Sequence, residues 1–297
     1  MIITRTPYRI SFFGGGTDYP SWYRENGGQV LATSIDKYCY ITCRNLPPFF
    51  KHKYRIVYST SENAREINEI KHPSAKAIIK IFSKNKGLEI HHDADLPARS
   101  GLGSSSAFTV GLIKAINKLY GKDFKKKDLA KLAINVEQKV IKENIGSQDQ
   151  IATTYGGLNT IKFFRNGNFK VDKLKIHNKK YEILQENLLI CYTGISRISS
   201  EVVKINYRNL YQKRNIIKTL MNQVKQGCKI LTNKAFPLDD FGLLLDEAWK
   251  IKKKISNNIS NNQIDTIYNV AKEAGAIGGK ILGAGSGGFL LIYAKKK

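Results

Sequence analysis

The stretch that most constrains this chain is Leu96-Pro97-Ala98-Arg99-Ser100-Gly101-Leu102-Gly103-Ser104-Ser105-Ser106-Ala107, which stands directly before a bulky apolar run from Phe108 to Tyr120. The run is long enough for roughly three turns of helix. The first N–H groups of a helix have no internal partner and lie at the positive end of its dipole, and glycine lets a backbone approach a ligand with no Cβ in the way. This is how a helix N-terminus that holds an anion such as phosphate is written. A loop that merely caps the helix is the alternative, since serine is a preferred N-cap residue. A cap needs one serine, whereas this loop has four, with two glycines. No Gly-Lys-Ser/Thr follows, as a Walker A loop requires, and the spacing is not that of a Rossmann fingerprint.

Charge bears on the same question. Lys and Arg number 49 against 24 Asp and Glu, a formal net charge of +25 over 297 residues. A field of that sign draws phosphates of every kind, in nucleic acid, nucleotides or sugar phosphates. The excess is dispersed in lysine runs such as Lys125-Lys126-Lys127, Lys252-Lys253-Lys254 and Lys295-Lys296-Lys297, with no dense Arg/aromatic stripe. Such runs read as solvated faces, so no nucleic-acid partner is expected. Cys39, Cys43, Cys191 and Cys228 lack metal-ligand spacing and sit among apolar neighbours, as reduced core or subsurface thiols of a cytosolic protein do. The N-terminus has no apolar core of signal-peptide length, and no run approaches the ~18 apolar residues of a membrane span. The expectation is a cytoplasmic protein with no membrane partner.

Taken in order, Ile2 to Phe13 is strand-like and runs into Gly14-Gly15-Gly16-Thr17-Asp18-Tyr19. Three glycines mark either a surface turn or a backbone lying close to something, and Arg9 is placed where a strand could point it at the same spot. Gln29 to Arg44 reads as one or two strands broken near Asp36-Lys37, and Tyr54 to Tyr58 as another. Ser74 to Lys84 has helical spacing, and Leu88 to His92 is strand-like. Lys126 to Lys142 carries Leu129, Leu132, Ala133, Val136, Val140 and Ile141 on one helical stripe, and Glu137 falls on that stripe. A carboxylate there is either a salt bridge at the core edge or a cation ligand. Ser147 and Gln150 fit a capping box, in which Asp149 is either part of the cap or the fixed carboxylate of a site. Leu158 to Phe164 and Phe169 to Leu174 form a hairpin about Asn166-Gly167-Asn168, and Asn187 to Tyr192 is a further strand. Ser199 to Lys225, Phe241 to Ser256 and Gln263 to Ala274 are helical, and strands from Ala276 to Leu282 and Gly287 to Tyr293 flank Gly283-Ala284-Gly285-Ser286. A β-rich first part thus meets a helix-rich second part near residue 180.

Together these stretches resemble the GHMP kinase superfamily of galactokinase, homoserine kinase, mevalonate kinase and phosphomevalonate kinase. Three segments carry the likeness, in the family's order: Pro7-Tyr8-Arg9 through Gly14-Gly15-Gly16-Thr17-Asp18-Tyr19, Pro97 through Ala107, and Lys280-Ile281-Leu282-Gly283-Ala284-Gly285-Ser286-Gly287-Gly288. The resemblance implies an α+β fold of two domains. Residues 1–180 would be like the second domain of ribosomal protein S5, and 181–297 ferredoxin-like with added helices, with the site between them. It implies ATP with its triphosphate on Pro97, Ser100, Gly101, Leu102, Gly103, Ser104, Ser105 and Ser106, and the third segment packed under that loop. By position, Ser105 and Glu137 match the residues that hold Mg²⁺, and Asp149 the catalytic aspartate with Arg9 beside it. Family members that lack the aspartate leave open whether it is a base or only orients the acceptor hydroxyl.

Galactokinases have Glu and His where this chain has Gly15 and Gly16, and that Glu contacts the far hydroxyl of the hexose. Glycine removes charge and bulk there, which suits a longer sugar ending in phosphate. The wording Phe12 to Pro20, continuing to Gly27-Gly28, is similar to that of the D-glycero-D-manno-heptose 7-phosphate kinases, which phosphorylate the anomeric hydroxyl. That likeness implies a sugar phosphate and ATP as small-molecule partners of a monomer or homodimer, with Arg9, Gly15, Gly16, Thr17, Asp18 and Asp149 around the sugar. A kinase for an unphosphorylated fucose- or galactose-like sugar is the nearest rival. A non-catalytic RNA-binding relative is a further one, against which intact Ser105, Glu137 and Asp149 argue.

Overall fold

The computed structural model describes residues 1–83, 86–196 and 213–296. Its longest strands, β1 (Ile2–Phe13) and β2 (Gly28–Asn45), pair antiparallel. Both are rich in the β-branched and aromatic residues that suit a pleated, half-buried surface. The break anticipated near Asp36-Lys37 is a bulge inside one continuous strand, since Pro7 pairs with Tyr38 but Arg9 with Ser34. On its other edge β2 changes partner at the same place. Residues 39–45 pair with β5 (Leu88–Ala94) and residues 28–33 with β6 (Leu158–Phe163). β3 (Tyr54–Val57) joins β5 in parallel, β4 (Ser61–Ala64) joins β3, and β7 (Phe169–Lys173) closes the hairpin with β6. β4 escaped the sequence reading because its four residues, Ser-Glu-Asn-Ala, show no apolar alternation.

Short α1 (Pro20–Asn26) follows the first glycine-rich turn, and α2 (Pro73–Phe82) packs beside α3 (Ser104–Leu119), which lies on β1 and β2. The fit of α3 on β1 depends on one glycine. A Cβ at Gly111 would sit 2.9 Å from Thr6 Oγ1, and the Thr4 hydroxyl donates to the Gly111 carbonyl at 3.0 Å. α4 (Lys126–Asn135) does not run straight on as the stripe implied. Val136–Val140 forms a π turn, so that Glu137 is fully buried while Val140, expected on the apolar stripe, is 46% exposed. The wider turn rotates the residues after it away from the 3.6 period on which that expectation rested. α5 (Gln148–Tyr155) then packs on β1.

After α6 (Asn178–Asn187), which has no marked apolar face, come β8 (Leu188–Tyr192), α7 (Arg214–Thr232), α8 (Asp239–Lys253), α9 (Asn262–Glu273), β9 (Gly278–Ile281) and β10 (Phe289–Tyr293). The first part of the helix expected from Ser199 lies outside the described residues. Among the described residues the second sheet has the order β8-β10-β9, antiparallel throughout. Cys39 and Cys43 are buried and Cys228 partly so, but Cys191, expected below the surface as well, is exposed, on an edge strand of which residues 189–192 are all exposed. The two sheets share one apolar core. The Phe241 ring meets those of Phe12 and Phe13 edge-on, each with centroids 5.2 Å apart, and a Cβ at Gly227 would lie 2.7 Å from the Phe13 ring. Such pairs contribute about 1 kcal/mol each beyond area burial. Among the described residues no helix is long and apolar enough to cross a membrane.

Candidate active site

The serine-rich loop ends at Gly103, which takes a left-handed φ of 77° as the residue before α3, and no side chain caps the helix. The serines have other partners. Ser104 Oγ accepts from the Arg99 N–H at 3.3 Å, Ser105 is exposed, and Ser106 is turned inward. The first N–H groups of α3 therefore open, uncapped by side chains, onto a cavity of about 670 Å³ lined here by Gly101, Gly103, Ser104, Ser105 and Ser106. Ser100 and Leu102 instead back the loop. The Ser100 carbonyl accepts from the Phe289 N–H at 3.0 Å, the Leu102 carbonyl from the Arg9 N–H at 3.0 Å, and both side chains are buried. Pro97 is not part of the lining. Gly288 has φ 91°, and a Cβ there would overlap the Ser100 carbonyl, so the third segment packs directly beneath the loop.

Beside the loop, where a Cβ at Gly103 would lie 3.1 Å from its Cγ, Arg9, 3% exposed, grips Asp149 with both arms of its guanidinium. Nε donates to Oδ1 at 2.8 Å and Nη2 to Oδ2 at 2.6 Å, while Nη1 donates to the Gly101 carbonyl at 2.6 Å. One side chain thus ties the glycine loop to the first turn of α5. The expected capping box does not form: Ser147 makes no cap hydrogen bond, its Oγ accepting instead from Gln138 Nε2 at 3.0 Å, and the Gln150 amide donates to Glu137. The carboxylate of Asp149 is left to the cavity, with 29% of its side chain exposed.

Asp18 lines the same end of the cavity, 1% exposed. Its Oδ1 accepts from the Gly16 N–H at 3.0 Å and its Oδ2 from the Gln148 N–H at 3.3 Å. Burial, and then the neighbouring charge of Asp149, push its carboxyl up to about 6 against those hydrogen bonds. Gly146 is a glycine because of it, since a Cβ there would overlap Asp18 Oδ2. The other predicted sugar contacts divide. At Gly15 a Cβ would meet nothing nearer than Gln148 Nε2 at 3.9 Å, so the position is open to the cavity. Gly16 also lines the cavity, yet its φ of 101° makes glycine a backbone requirement there. Thr17 is not a cavity residue: fully buried, its hydroxyl lies 2.8 Å from the Gly14 carbonyl and 2.9 Å from the Gln29 carbonyl, and it ties the turn to β2.

Glu137 stands behind the loop, outside the cavity lining. Ser106 Oγ donates to its Oε2 at 2.9 Å, the Gln150 amide reaches the same oxygen, and Oε1 has no protein partner. The serine in contact with Glu137 is therefore Ser106; Ser105, expected beside it, faces the cavity. Burial pushes the Glu137 carboxyl up to about 7 against the hydrogen bonds it accepts from Gln150 and Ser106. The salt-bridge reading fails, because Glu137 has no ion pair among the described residues.

Comparison with known proteins decides the family. Residues 69–157 match the model of the GHMP kinases N terminal domain and residues 233–297 that of the GHMP kinases C terminal domain. A D-glycero-alpha-D-manno-heptose 7-phosphate kinase of Campylobacter jejuni is 30% identical over 98% of this chain and 89% of its own length. The chain is a GHMP kinase. A bifunctional fucokinase/GDP-fucose pyrophosphorylase of Arabidopsis thaliana is 27% identical over 97% of this chain but only 29% of its own length. Among solved structures, a D-glycero-D-manno-heptose 1-phosphate kinase from Bacteroides thetaiotaomicron superposes with a TM-score of 0.79, covering 99% of this chain and 89% of that one at 22% identity, which shows the shared two-domain fold.

Several residues of this GHMP kinase's cavity were not singled out from sequence. Lys280 and Lys252 line it from the second sheet and from α8. Lys252, expected on a solvated face with Lys253 and Lys254, is instead 7% exposed because it continues the buried Leu245, Ala248 and Trp249 stripe, and Lys280 interrupts an otherwise apolar strand, so misplaced lysines were the available signal. At the far end His72 stacks on Phe108 with centroids 4.5 Å apart, Tyr58 meets His72 edge-on at 4.9 Å and His92 meets Phe108 edge-on at 5.2 Å. Burial lowers both histidines from their ordinary value, which favours neutral rings and an uncharged aromatic wall. No spacing in the sequence links these four residues; the pairing of β3 with β5 and the packing of α2 on α3 bring them together.

Proposed function

We propose that this GHMP kinase transfers the γ-phosphoryl group of ATP to the anomeric C1 hydroxyl of D-glycero-D-manno-heptose 7-phosphate, giving the 1,7-bisphosphate for nucleotide-activated heptose and surface polysaccharide. The observation that carries the reading is the Arg9–Asp149 pair standing beside the uncapped N-terminus of α3 on the wall of one cavity. The triphosphate lies along Gly101 and Gly103–Ser106, where backbone N–H groups and the helix dipole favour it. The adenine takes the wall of Tyr58, His72, His92 and Phe108. In this reading the dividing line of the two domains falls near residue 180.

The acceptor hydroxyl donates a hydrogen bond to Asp149. As its oxygen bonds to the γ-phosphorus and the bond to the bridging oxygen of ADP breaks, its proton passes to the carboxylate. Arg9 holds both carboxylate oxygens in place, and its charge favours the negative charge that develops on the acceptor oxygen. Asp18 accepts from a sugar hydroxyl deeper in the site. The residues present also fit Mg²⁺: Glu137 has a buried carboxylate oxygen without a protein partner, and the hydroxyls of Ser105 and Ser106 stand on the adjoining turn of α3, an oxygen set that suits a hard cation. Mg²⁺ bound there would neutralise charge on the phosphates.

Support for the heptose 7-phosphate comes from the open position at Gly15, from the charge excess and from the likeness to the Campylobacter enzyme. The test is a coupled ADP-release assay with ATP and Mg²⁺ that compares the heptose 7-phosphate with free mannose, galactose and fucose, with NMR locating the new phosphate. Preference for the heptose phosphate and a product phosphorylated at C1 are expected. Turnover of a free sugar alone would overturn the substrate and retain the kinase.

A further inference from the structure

Lys280 is the only ionisable side chain in β9, whose four residues, Gly278–Ile281, are all buried. It is 7% exposed and lines the cavity, and its Nζ donates to the main-chain oxygens of Phe12 at 2.7 Å and Ser11 at 3.3 Å, at the end of β1 that carries Arg9. Among the described residues it has no ion pair, and the charge that acts on it is the like charge of Arg9. A buried ammonium without a counter-ion is costly, and two carbonyls offset that cost only in part. Burial and Arg9 accordingly push Lys280 down to about 7. A tether between β9 and β1 needs a donor but no charge. Arg9 has Asp149 for a counter-ion, and a second cation beside it, facing the cavity with none, points to an anion brought by a ligand.

We infer that Lys280 binds a phosphate oxygen of a bound substrate, either the γ-phosphoryl of the donor or the terminal phosphate of the acceptor. The inference rests on the kinase reading above and names one contact within it.

Two pairs of ligands separate the sources. Isothermal titration of the full-length protein with Mg²⁺ compares AMPPNP with ADP, which differ by the γ-phosphate, and heptose 7-phosphate with the free heptose. Lys280→Met should lower affinity for the phosphate-bearing member of one pair by about 10- to 100-fold, the range of a hydrogen bond to a charged group, and leave its partner unchanged. Loss on AMPPNP assigns the donor, and loss on heptose 7-phosphate the acceptor. Lys280→Gln keeps a donor for the carbonyls and loses the charge, so it should show the same selective loss even where the methionine variant folds poorly. Unchanged ratios in both pairs, with or without a lower Tm, would make Lys280 a tether only and overturn the inference. A wild type that binds AMPPNP but not heptose 7-phosphate would refute the substrate proposed above, and the nucleotide pair would still decide the role of Lys280.

Discussion

Replacing Asp149 by asparagine keeps the shape of the side chain and removes its charge. Arg9 now donates to both carboxylate oxygens, at 2.8 and 2.6 Å. In the variant one of those positions carries an NH₂ group that cannot accept, so one charge-assisted hydrogen bond is lost. Arg9, 3% exposed, keeps only the remaining amide oxygen and the Gly101 carbonyl. Breaking a fully buried pair costs about 3–5 kcal/mol. Because 29% of the Asp149 side chain meets solvent, the expected loss of folding stability is smaller, about 2 kcal/mol. Urea denaturation measures that loss as a lower midpoint with an unchanged slope. Turnover in the ADP-release assay should fall ~10²- to 10⁴-fold, the usual contribution of a positioned base. ATP affinity should be largely kept, because Asp149 touches the phosphate loop only through Arg9. A variant with wild-type kcat and lowered stability would make the pair structural and remove Asp149 from the chemistry.

Three other perturbations have worked outcomes. Gly146→Ala puts a methyl group on Asp18 Oδ2, so Asp18 must move; KM for the sugar should rise about tenfold or more with KM for ATP unchanged, and steady-state kinetics with both substrates varied would expose the error if sugar KM stays at the wild-type value. Gly15→Glu fits the backbone, since no strain or overlap stands at that Cβ, but brings a carboxylate to the acceptor end. It should reduce kcat/KM for the 7-phosphate roughly tenfold more than for a free hexose, through like-charge repulsion, and an equal loss on both would undo this account of the glycine. Asp18, raised from 3.8 to about 6, holds its proton more tightly folded than unfolded. Its contribution to stability is therefore fully present below pH ~4 and is lost as pH rises to ~6, by up to about 3 kcal/mol. Denaturation of Asp18→Asn across that window should show a flatter pH slope than wild type, and identical slopes would show that another group titrates.

What the sequence determined by itself is local. The start of α3, the strands β1 and β2 and the hairpin of β6 and β7 were legible because glycine conformations, helix-terminal N–H groups and alternation act within a few residues of the chain. The three segments also pointed to the family, since their order and wording survive in one dimension. Contacts across the chain were not legible. Arg9 and Asp149 meet over 140 residues, and nothing in either stretch states that a guanidinium will close on both oxygens. The π turn at Val136–Val140 broke the 3.6 period, so the sequence marked Glu137 as misplaced but could not show that Ser106, rather than Ser105, would meet it. Thr17 looked like its neighbours Gly16 and Asp18, yet the path of β2 captured its hydroxyl. Lys280 needed the second sheet to dock on β1 before its charge could face a cavity with no counter-ion among the described residues. In each case the deciding quantity was burial, and burial is settled by packing between segments distant in the chain, which no local pattern records.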